Sequence, residues 1–209
     1  MSSFPGRERD SERASESGTS LIEFTLVASL LFTLLFGIIE FGLAFRDRLT
    51  ISNASQGAAR VGSSLGDNDE SDFEVLKSLE QSLGTLANSG IDIIRFVDVF
   101  RANSSGNPVS GCPGTSCNRY LYSPGFAPSC DWNPCPDPSA GYSGWSWAPA
   151  SRDVELPGLD VMGVRITFKH DWVTGGLLPL PNVQCDGTAG ATCWTDDALM
   201  RLEPQVFAP

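Results

Sequence analysis

The chain opens with a hydrophilic stretch, continues as a long apolar run, and then alternates short apolar segments with polar loops. Residues 1–18 mix arginines with acidic residues and cannot build a core, so they predict a disordered leader. The apolar run extends from about Leu21 to Phe45, and its first part, from Phe24 to Ile39, carries no charge. At a rise of about 1.5 Å per residue it is about 37 Å long, enough to cross a bilayer. We therefore predict a membrane-spanning helix over about residues 21–45.

A cleaved secretory signal peptide is the alternative explanation of this run. Gly42 and Ala44 would supply the small residues that a signal peptidase requires. However, the run is long for a signal peptide, and Glu40 lies just before the supposed cut. The pattern therefore favours a helix that stays on the protein as its anchor.

Helical periodicity continues beyond the apolar run. No proline interrupts the chain up to Ser64, and small and apolar residues recur at helical spacing, so we predict one helix over residues 19–64. An acidic break follows. Ser71 and Asp72 then resemble an N-cap, and the spacing of the apolar residues after them predicts a second helix that ends near Ala87.

Beyond residue 90 the pattern changes to one of β-formers. Residues 91–102 predict a strand, and residues 161–168 predict another. In the latter, apolar side chains alternate on one face: Met162, Val164, Ile166 and Phe168. Shorter strands are predicted at residues 119–122 and 198–203.

These elements predict an α+β protein. It has a long N-terminal membrane-spanning helix, followed by a small extracytoplasmic domain with a short antiparallel sheet and disulfide-rich loops. The domain covers residues 65–209, and residues 103–158 form a long Cys-rich loop within it. A loop of this length inside a compact domain needs covalent or other staples.

All six cysteines lie in this domain, in loops rich in Gly, Pro and Ser: Cys112, Cys117, Cys130, Cys135, Cys185 and Cys193. An even number in such loops predicts disulfides and an oxidising compartment. Zinc is the alternative, but the C-x4-C and C-x7-C spacings differ from the usual C-x2-C knuckles, and His170 is the only histidine. We expect no metal site. Our hypothesis for the pairing is that sequence neighbours join, because each such pair closes a short loop.

The charge balance narrows the class of partner. The net charge is −11, and residues 65–209 alone contain 18 acidic and 8 basic residues, a net charge of −10. Nucleic acid is therefore an improbable partner, because its phosphates require Lys and Arg. The sequence also has one histidine, no nucleophile elbow and no phosphate-binding loop, so we predict no catalytic residues, no cofactor and no enzymatic activity.

Gly18 and Glu23, at the start of the apolar run, give the most specific indication of function. A peptidase that cuts after Gly18, before the run, would leave the helix on the mature protein and create a new amine on Thr19. Glu23 would then lie five residues into the mature chain, where its carboxylate could neutralise the amine of a neighbouring subunit in a low-dielectric environment. The alternative is that Glu23 lies at headgroup level and extends to water. The residues alone leave both open.

Small side chains recur every fourth residue on one face of the predicted helix: Thr25, Ser29, Thr33 and Gly37. Such a stripe allows helices to approach closely in lipid, and its hydroxyls can bond across the interface. Hydroxyls in this position can instead bond back to their own helix. We favour the interpretation that the stripe is a face on which neighbouring helices pack.

Three motifs in a fixed order resemble a known family. Residues 17–24 read Ser-Gly-Thr-Ser-Leu-Ile-Glu-Phe, residues 37–42 read Gly-Ile-Ile-Glu-Phe-Gly, and residues 53–60 read Asn-Ala-Ser-Gln-Gly-Ala-Ala-Arg. In this order they resemble the TadE-like family of minor pilins, or pseudopilins, of the Tad type IV pilus system. The resemblance covers about residues 15–64, and residues 200–204 resemble the family's C-terminal strand.

The resemblance implies a function in pilus assembly and surface adhesion. It implies a precursor cut by a prepilin peptidase after Gly18, with Glu23 as the assembly carboxylate. The implied partners are the lipid bilayer, other pilins and Tad assembly proteins. The implied location is the bacterial plasma membrane, crossed once, or the pilus itself.

The orientation follows from the cysteines. Three bases precede the apolar run and three follow it closely, so the charge rule gives no direction. Disulfides need an oxidising compartment, which places the C-terminal domain outside and the N-terminus in the cytoplasm.

A membrane-anchored binding module is the alternative function. Five tryptophans lie in the domain and could bind a surface ligand if exposed: Trp132, Trp145, Trp147, Trp172 and Trp194. In a small disulfide-rich domain, tryptophans more often anchor the core and the loops.

Overall fold

The computed structural model describes residues 7–84, 86, 90–173 and 191–205, with side chains for all of these except residues 7–17 and 191. The chain divides into two compact units, Met1–Leu43 and Ala44–Pro209. The α+β class predicted from the sequence is confirmed, with a long N-terminal apolar helix and a small antiparallel sheet domain.

Helix α1 spans Arg7–Leu65 and is the longest element. It begins inside the stretch for which the sequence predicts a disordered leader. Two local features favour helix there. Residues 7–17 contain neither proline nor glycine, and opposite charges lie at i, i+3 spacing, as in Arg9 with Glu12. The second helix, α2, spans Ser71–Leu83 and is shorter than the prediction to Ala87.

Five antiparallel strands form one sheet in the order β3-β2-β1-β4-β5. Their bounds are β1 Ile94–Arg101, β2 Cys117–Ala127, β3 Cys130–Asn133, β4 Val161–Asp171 and β5 Ala191–Arg201. Short 3₁₀ helices lie at Gly90–Ile93, Pro138–Ala140 and Pro149–Ser151. Strands β2 and β3 lie within the region predicted as a Cys-rich loop, which is therefore partly sheet.

The core lies on one face of the sheet, under α2 and residues 44–65 of α1. The alternating face predicted for β4 is confirmed, because its four apolar side chains are all fully buried. Gly62 shows how closely α1 approaches this face. A Cβ at that position would lie 2.4 Å from Sδ of Met162 and 2.9 Å from Val75, so a side chain there would collide with the sheet domain.

Asp72, which the sequence predicts as part of the N-cap of the second helix, lies in the core instead. The N-cap of α2 is Glu70, and it makes no side-chain cap hydrogen bond. Asp72 is fully buried instead and forms an ion pair with the buried guanidinium of Arg152. Its Oδ2 accepts hydrogen bonds from Tyr120 Oη at 2.5 Å and from Asn118 Nδ2 at 2.8 Å. Burial, and next the charge of Asp72, raise the pKa of the Tyr120 hydroxyl well above its ordinary value.

The same buried network holds the irregular segment before β4. Arg152 Nη1 donates to Ser71 Oγ at 2.8 Å, and its guanidinium lies 4.5 Å from the ring centre of Trp147. Asn118 Oδ1 accepts from the backbone N–H groups of Ser146 and Trp147 at 2.9 and 2.8 Å. Residues 146–152 are thereby tied to α2 and β2 through buried hydrogen bonds. Arg152 Nε is the one atom of this guanidinium that has no hydrogen-bond partner among the described residues.

The opposite face of the sheet carries charges in an ordered row. Asp98 of β1 lies opposite Arg119 of β2 and Arg165 of β4, and Arg165 lies opposite Asp197 of β5. Two of these contacts are two-point ion pairs. Arg119 meets Asp98 at 2.7 and 2.8 Å, and Arg165 meets Asp197 at 2.7 and 2.6 Å. We call Arg119, Asp98, Arg165 and Asp197 the charge ladder.

An aromatic ring fills the gap left by a glycine on this face. Phe100 of β1 is paired with Gly163 of β4, and a Cβ on Gly163 would lie 2.3 Å from the Phe100 ring. The ring is fully buried. Glycine is therefore required here so that the ring can lie against the β4 backbone.

Two disulfides staple the loop region. Cys112 is bonded to Cys117 at the start of β2, and Cys130 at the start of β3 is bonded to Cys135. Each joins sequence neighbours. Cys193 is also disulfide-bonded, but Cys185 lies outside the described residues, so the predicted pair of Cys185 with Cys193 stays a prediction.

Candidate functional site

The candidate site is the exposed apolar surface of α1 within the first unit. Its large side chains are exposed, for example Leu21 at 67%, Phe24 at 69% and Ile38 at 71%. By length and composition, the described part of the chain contains one helix able to cross a membrane, Gly18–Leu65, and none of its most apolar 18-residue window is buried. Contiguous apolar surface of this extent indicates contact with lipid or with partner helices.

Glu23 is the only acidic residue between residues 18 and 39. Its side chain is exposed and stands between Ile22 and Phe24, which are 65% and 69% exposed. A carboxylate in these surroundings keeps its charge at low cost only while it meets water, a headgroup or a cation. The site therefore combines an apolar surface for burial with one charge that needs a partner.

The hydroxyls of the small-residue stripe bond back to their own helix. Thr25 Oγ1 donates to the carbonyl of Leu21 at 2.6 Å, and Thr33 Oγ1 donates to that of Ser29 at 2.9 Å. Ser29 Oγ donates to the carbonyl of Leu26 at 2.9 Å. The donors are thus satisfied within the chain, as the sequence allowed as an alternative, and the stripe can enter an apolar environment without losing them.

The glycines of the site are open to their surroundings. A Cβ added at Gly18, Gly37 or Gly42 would meet nothing within 4 Å. Nothing in the described part of the chain therefore requires glycine at Gly37, the last position of the stripe. The close approach that its missing side chain allows is available to another molecule.

The predicted cleavage site lies in helical backbone. Gly18 and Thr19 both belong to α1, and both are exposed. A glycine inside a helix costs about 1 kcal/mol relative to alanine. Gly18 thus weakens the helix beside the bond that the sequence predicts to be cut.

Comparison with known proteins gives a match over this same segment. A family model described as TadE-like protein matches residues 18–60. Residues 18–60 carry the TadE-like signature. No curated protein and no protein of solved structure matches the chain.

The TadE-like segment contains every assembly and processing residue predicted from the sequence, from Gly18 to Gly37. The predicted resemblance is therefore confirmed over these residues, which are 43 of the 209. The TadE-like family is a structural family of the Tad pilus system, so the match supports a Tad pilus-related protein. Together with the apolar helix, it supports a membrane-anchored protein.

One group of three possible metal ligands occurs among the described residues, namely Asp98, Cys112 and Cys117. The group does not fit a metal. Its two cysteines share a disulfide and offer no thiolate, and Asp98 is already paired with Arg119. The zinc alternative therefore has no support from these cysteines.

The tryptophans do not form an exposed binding surface. Trp132, Trp147 and Trp172 are 1%, 4% and 6% exposed, and Trp145 and Trp194 are half-buried. The five tryptophans, all within the described residues, therefore give no exposed aromatic face to the alternative of a binding module. These side chains instead pack in the core or against neighbouring rings.

The histidine has a partner that sequence reasoning missed. His170 Nδ1 lies 3.0 Å from Oδ2 of Asp47, and its ring stacks on Trp194 with a 7° angle between the planes. The neighbouring Asp171 pairs with Lys169 instead. Because Asp47 lies 123 residues before His170, no local sequence signal could have indicated the contact.

Proposed function

We propose that this protein is a minor pilin, or pseudopilin, of a Tad pilus. In this proposal it is anchored by α1 and joins the pilus or helps to assemble it, and through the pilus it contributes to surface adhesion. The observation that carries the proposal is the exposed apolar surface of the TadE-like segment, with Glu23 as its only charge between residues 18 and 39. An isolated anchor needs no such charge, whereas an assembly of staggered helices can use it.

The proposed maturation begins in the cytoplasm. A prepilin peptidase cuts after Gly18, removes the leader and leaves Thr19 with a free amine. The Glu23 carboxylate of one subunit then pairs with the Thr19 amine of its neighbour. Pairing is favoured in the low dielectric of a helix bundle because an unpaired charge there is costly. The remaining partners are other pilins and Tad assembly proteins.

The proposed topology has the C-terminal domain outside the membrane. Two disulfides between described cysteines support it, because such bonds persist in oxidising compartments. The acidic character of residues 65–209 is compatible with a soluble domain that faces water.

Identifying the N-terminus of the mature protein tests the proposed maturation. We expect Thr19 as the first residue of protein purified from membranes. Gly18→Val should stop the cut and leave the full-length chain, and because a Cβ at Gly18 meets nothing, the failure would reflect the peptidase and not misfolding. Gly57→Val is the matched control, since that glycine also has open space and lies far from the cut. A mature chain that starts at Met1 or Ser2, or at Phe45, would contradict the proposal.

The small-residue stripe predicts where bulk interferes with assembly. Gly37→Leu should lower incorporation into pili on the order of tenfold while leaving membrane insertion unchanged, because leucine would hold neighbouring helices apart. Gly42→Leu is the control. Gly42 has the same open space but lies about 140° away around the helix.

Quantitative immunoblotting of sheared pili measures incorporation, and immunoblotting of membrane fractions measures insertion. Equal incorporation of the two leucine variants would show that the stripe is not a packing face.

A further inference from the structure

Four exposed side chains lie on one side of α1 at the point where its apolar run ends. Phe45 is 63% exposed and Leu49 is 62% exposed, and the side chains of Arg46 and Arg48 are exposed between them. We call Phe45, Arg46, Arg48 and Leu49 the collar. None of the four is needed to cover the core of the sheet domain, and two of them are large apolar groups that water solvates poorly.

The collar has a regular geometry around the helix. At about 100° per residue, Phe45 and Leu49 lie about 40° apart on successive turns and form an apolar ridge. Arg46 lies about 60° beyond Leu49 on one side, and Arg48 lies about 60° beyond Phe45 on the other. The buried side of the same turns is marked by Ala44 and Ile51, at 2% and 0% exposed. An apolar ridge is thus flanked on both sides by a guanidinium.

The one acid within the collar sequence is turned away from these cations. Asp47 contacts His170 at 3.0 Å, and its side chain is only 19% exposed. Among the described residues, no carboxylate forms an ion pair with Arg46 or Arg48. The collar is therefore a local cationic surface on a protein whose residues 65–209 carry a net charge of −10.

We propose that the collar binds the phosphates of anionic phospholipids in the leaflet where α1 leaves the membrane. This rests on the membrane-anchored topology of the proposed function. Counted along the sequence from Leu21, Phe45 lies about 36 Å further on, which is beyond a hydrocarbon core of about 30 Å and within the headgroup layer.

Each part of the collar suits that layer. Guanidinium groups bind phosphate through paired N–H donors, and the stems of arginine side chains lie along apolar surface while the heads reach polar groups. Aromatic and apolar side chains beside them enter the boundary between headgroups and acyl chains. Basic residues near a membrane surface attract anionic lipids, which an acidic domain would otherwise repel.

Lipid selectivity of the full-length protein in bilayers tests this proposal. The protein is reconstituted into phosphatidylcholine bilayers that contain a trace of spin-labelled phosphatidylglycerol or spin-labelled phosphatidylcholine. Electron paramagnetic resonance then gives the fraction of each label that the protein immobilises. We expect a preference for phosphatidylglycerol on the order of threefold at low salt, and a loss of this preference at high salt.

Variants locate the preference on the chain. Arg46→Gln with Arg48→Gln should bring the two labels to equal immobilised fractions. Arg60→Gln removes one exposed cation of the same helix about 21 Å beyond Arg46 and should retain most of the preference. No preference in the unchanged protein, or an unaltered preference in the double variant, would overturn the collar proposal.

The same spectra separate the collar from the anchor. Immobilised phosphatidylcholine reports that a helix lies in the bilayer, whether or not the collar selects a headgroup. If phosphatidylcholine is immobilised but neither label is preferred, the membrane-anchored topology is supported and the collar proposal fails. If no label is immobilised at all, the membrane-anchored topology fails and the collar proposal fails with it.

Discussion

Replacing Glu23 with glutamine is expected to lower incorporation of the protein into pili by about tenfold or more, with normal insertion into the membrane. Glutamine keeps the shape of the side chain but cannot neutralise the amine of a neighbouring Thr19. The amine would then be buried unpaired, or the subunit would stay out of the assembly. Insertion should not suffer, because the change removes a charge from the apolar run.

Two further variants sharpen this test. Glu23→Asp retains the charge on a shorter side chain and should restore part of the incorporation. Glu16→Gln removes an acid from the leader, which the proposed cut discards, and should have no effect on mature subunits. The readout is the amount of protein in sheared pili relative to membranes, in cells without the unaltered copy. Wild-type incorporation of Glu23→Gln would leave Glu23 without its proposed role and favour a carboxylate that merely reaches the headgroup layer.

Replacing Arg152 with methionine is expected to destabilise the sheet domain by about 3–5 kcal/mol. Both partners of the Arg152–Asp72 pair are fully buried. Methionine fills much of the space of arginine but leaves the carboxylate of Asp72 in the core without a cation. Tyr120 and Asn118 would still donate hydrogen bonds to it, but neither can balance its charge.

The exposed ion pair of the charge ladder provides the matched control. The side chains of Arg165 and Asp197 are 24% and 34% exposed, so Arg165→Met should cost no more than about 1 kcal/mol. Urea unfolding of the full-length protein in detergent, followed by tryptophan fluorescence, measures both changes, since Trp132 and Trp147 are buried in the core. A similar decrease in the free energy of unfolding for the two variants would show that the buried network contributes no more to stability than a surface ion pair.

The sequence predicts best where a pattern is local and continuous. The apolar run of α1 and the alternation of Met162, Val164, Ile166 and Phe168 in β4 are periodic signals that follow directly from helix and strand geometry. Both are present in the structure. The TadE-like segment is predicted in a different way, by the resemblance of three local motifs and their order to a known family, and the family model matches over residues 18–60.

The strands of the Cys-rich region are predicted less well. The sequence indicates only residues 119–122 of β2, whereas the strand continues to Ala127 through a proline and a glycine. Strand β3 has four residues and is missed entirely. Strand β2 pairs with β1 at its start and with β3 further on, and a disulfide lies at the start of each of β2 and β3. These contacts hold the residues in extended form although their composition is that of a loop.

Contacts between distant residues are beyond sequence reasoning of this kind. Asp72 resembles an N-cap because it lies at a helix start, yet its partner Arg152 is 80 residues away. The same holds for Asp47 and His170. A single sequence shows which side chains are charged, but only the sheet topology decides which of them meet.

The charge ladder has a consequence for how the sheet finds its pairing. Signs alternate across four strands, so each charge is opposite its counterion only in the observed alignment. If β1 slid by two residues, Phe96 or Phe100 would face the arginines, and Asp98, now 1% exposed, would lose its partner. A slide of one residue would turn Asp98 into the core. The charge ladder thus raises the free energy of sheets whose strands pair in another register, and it favours the observed one.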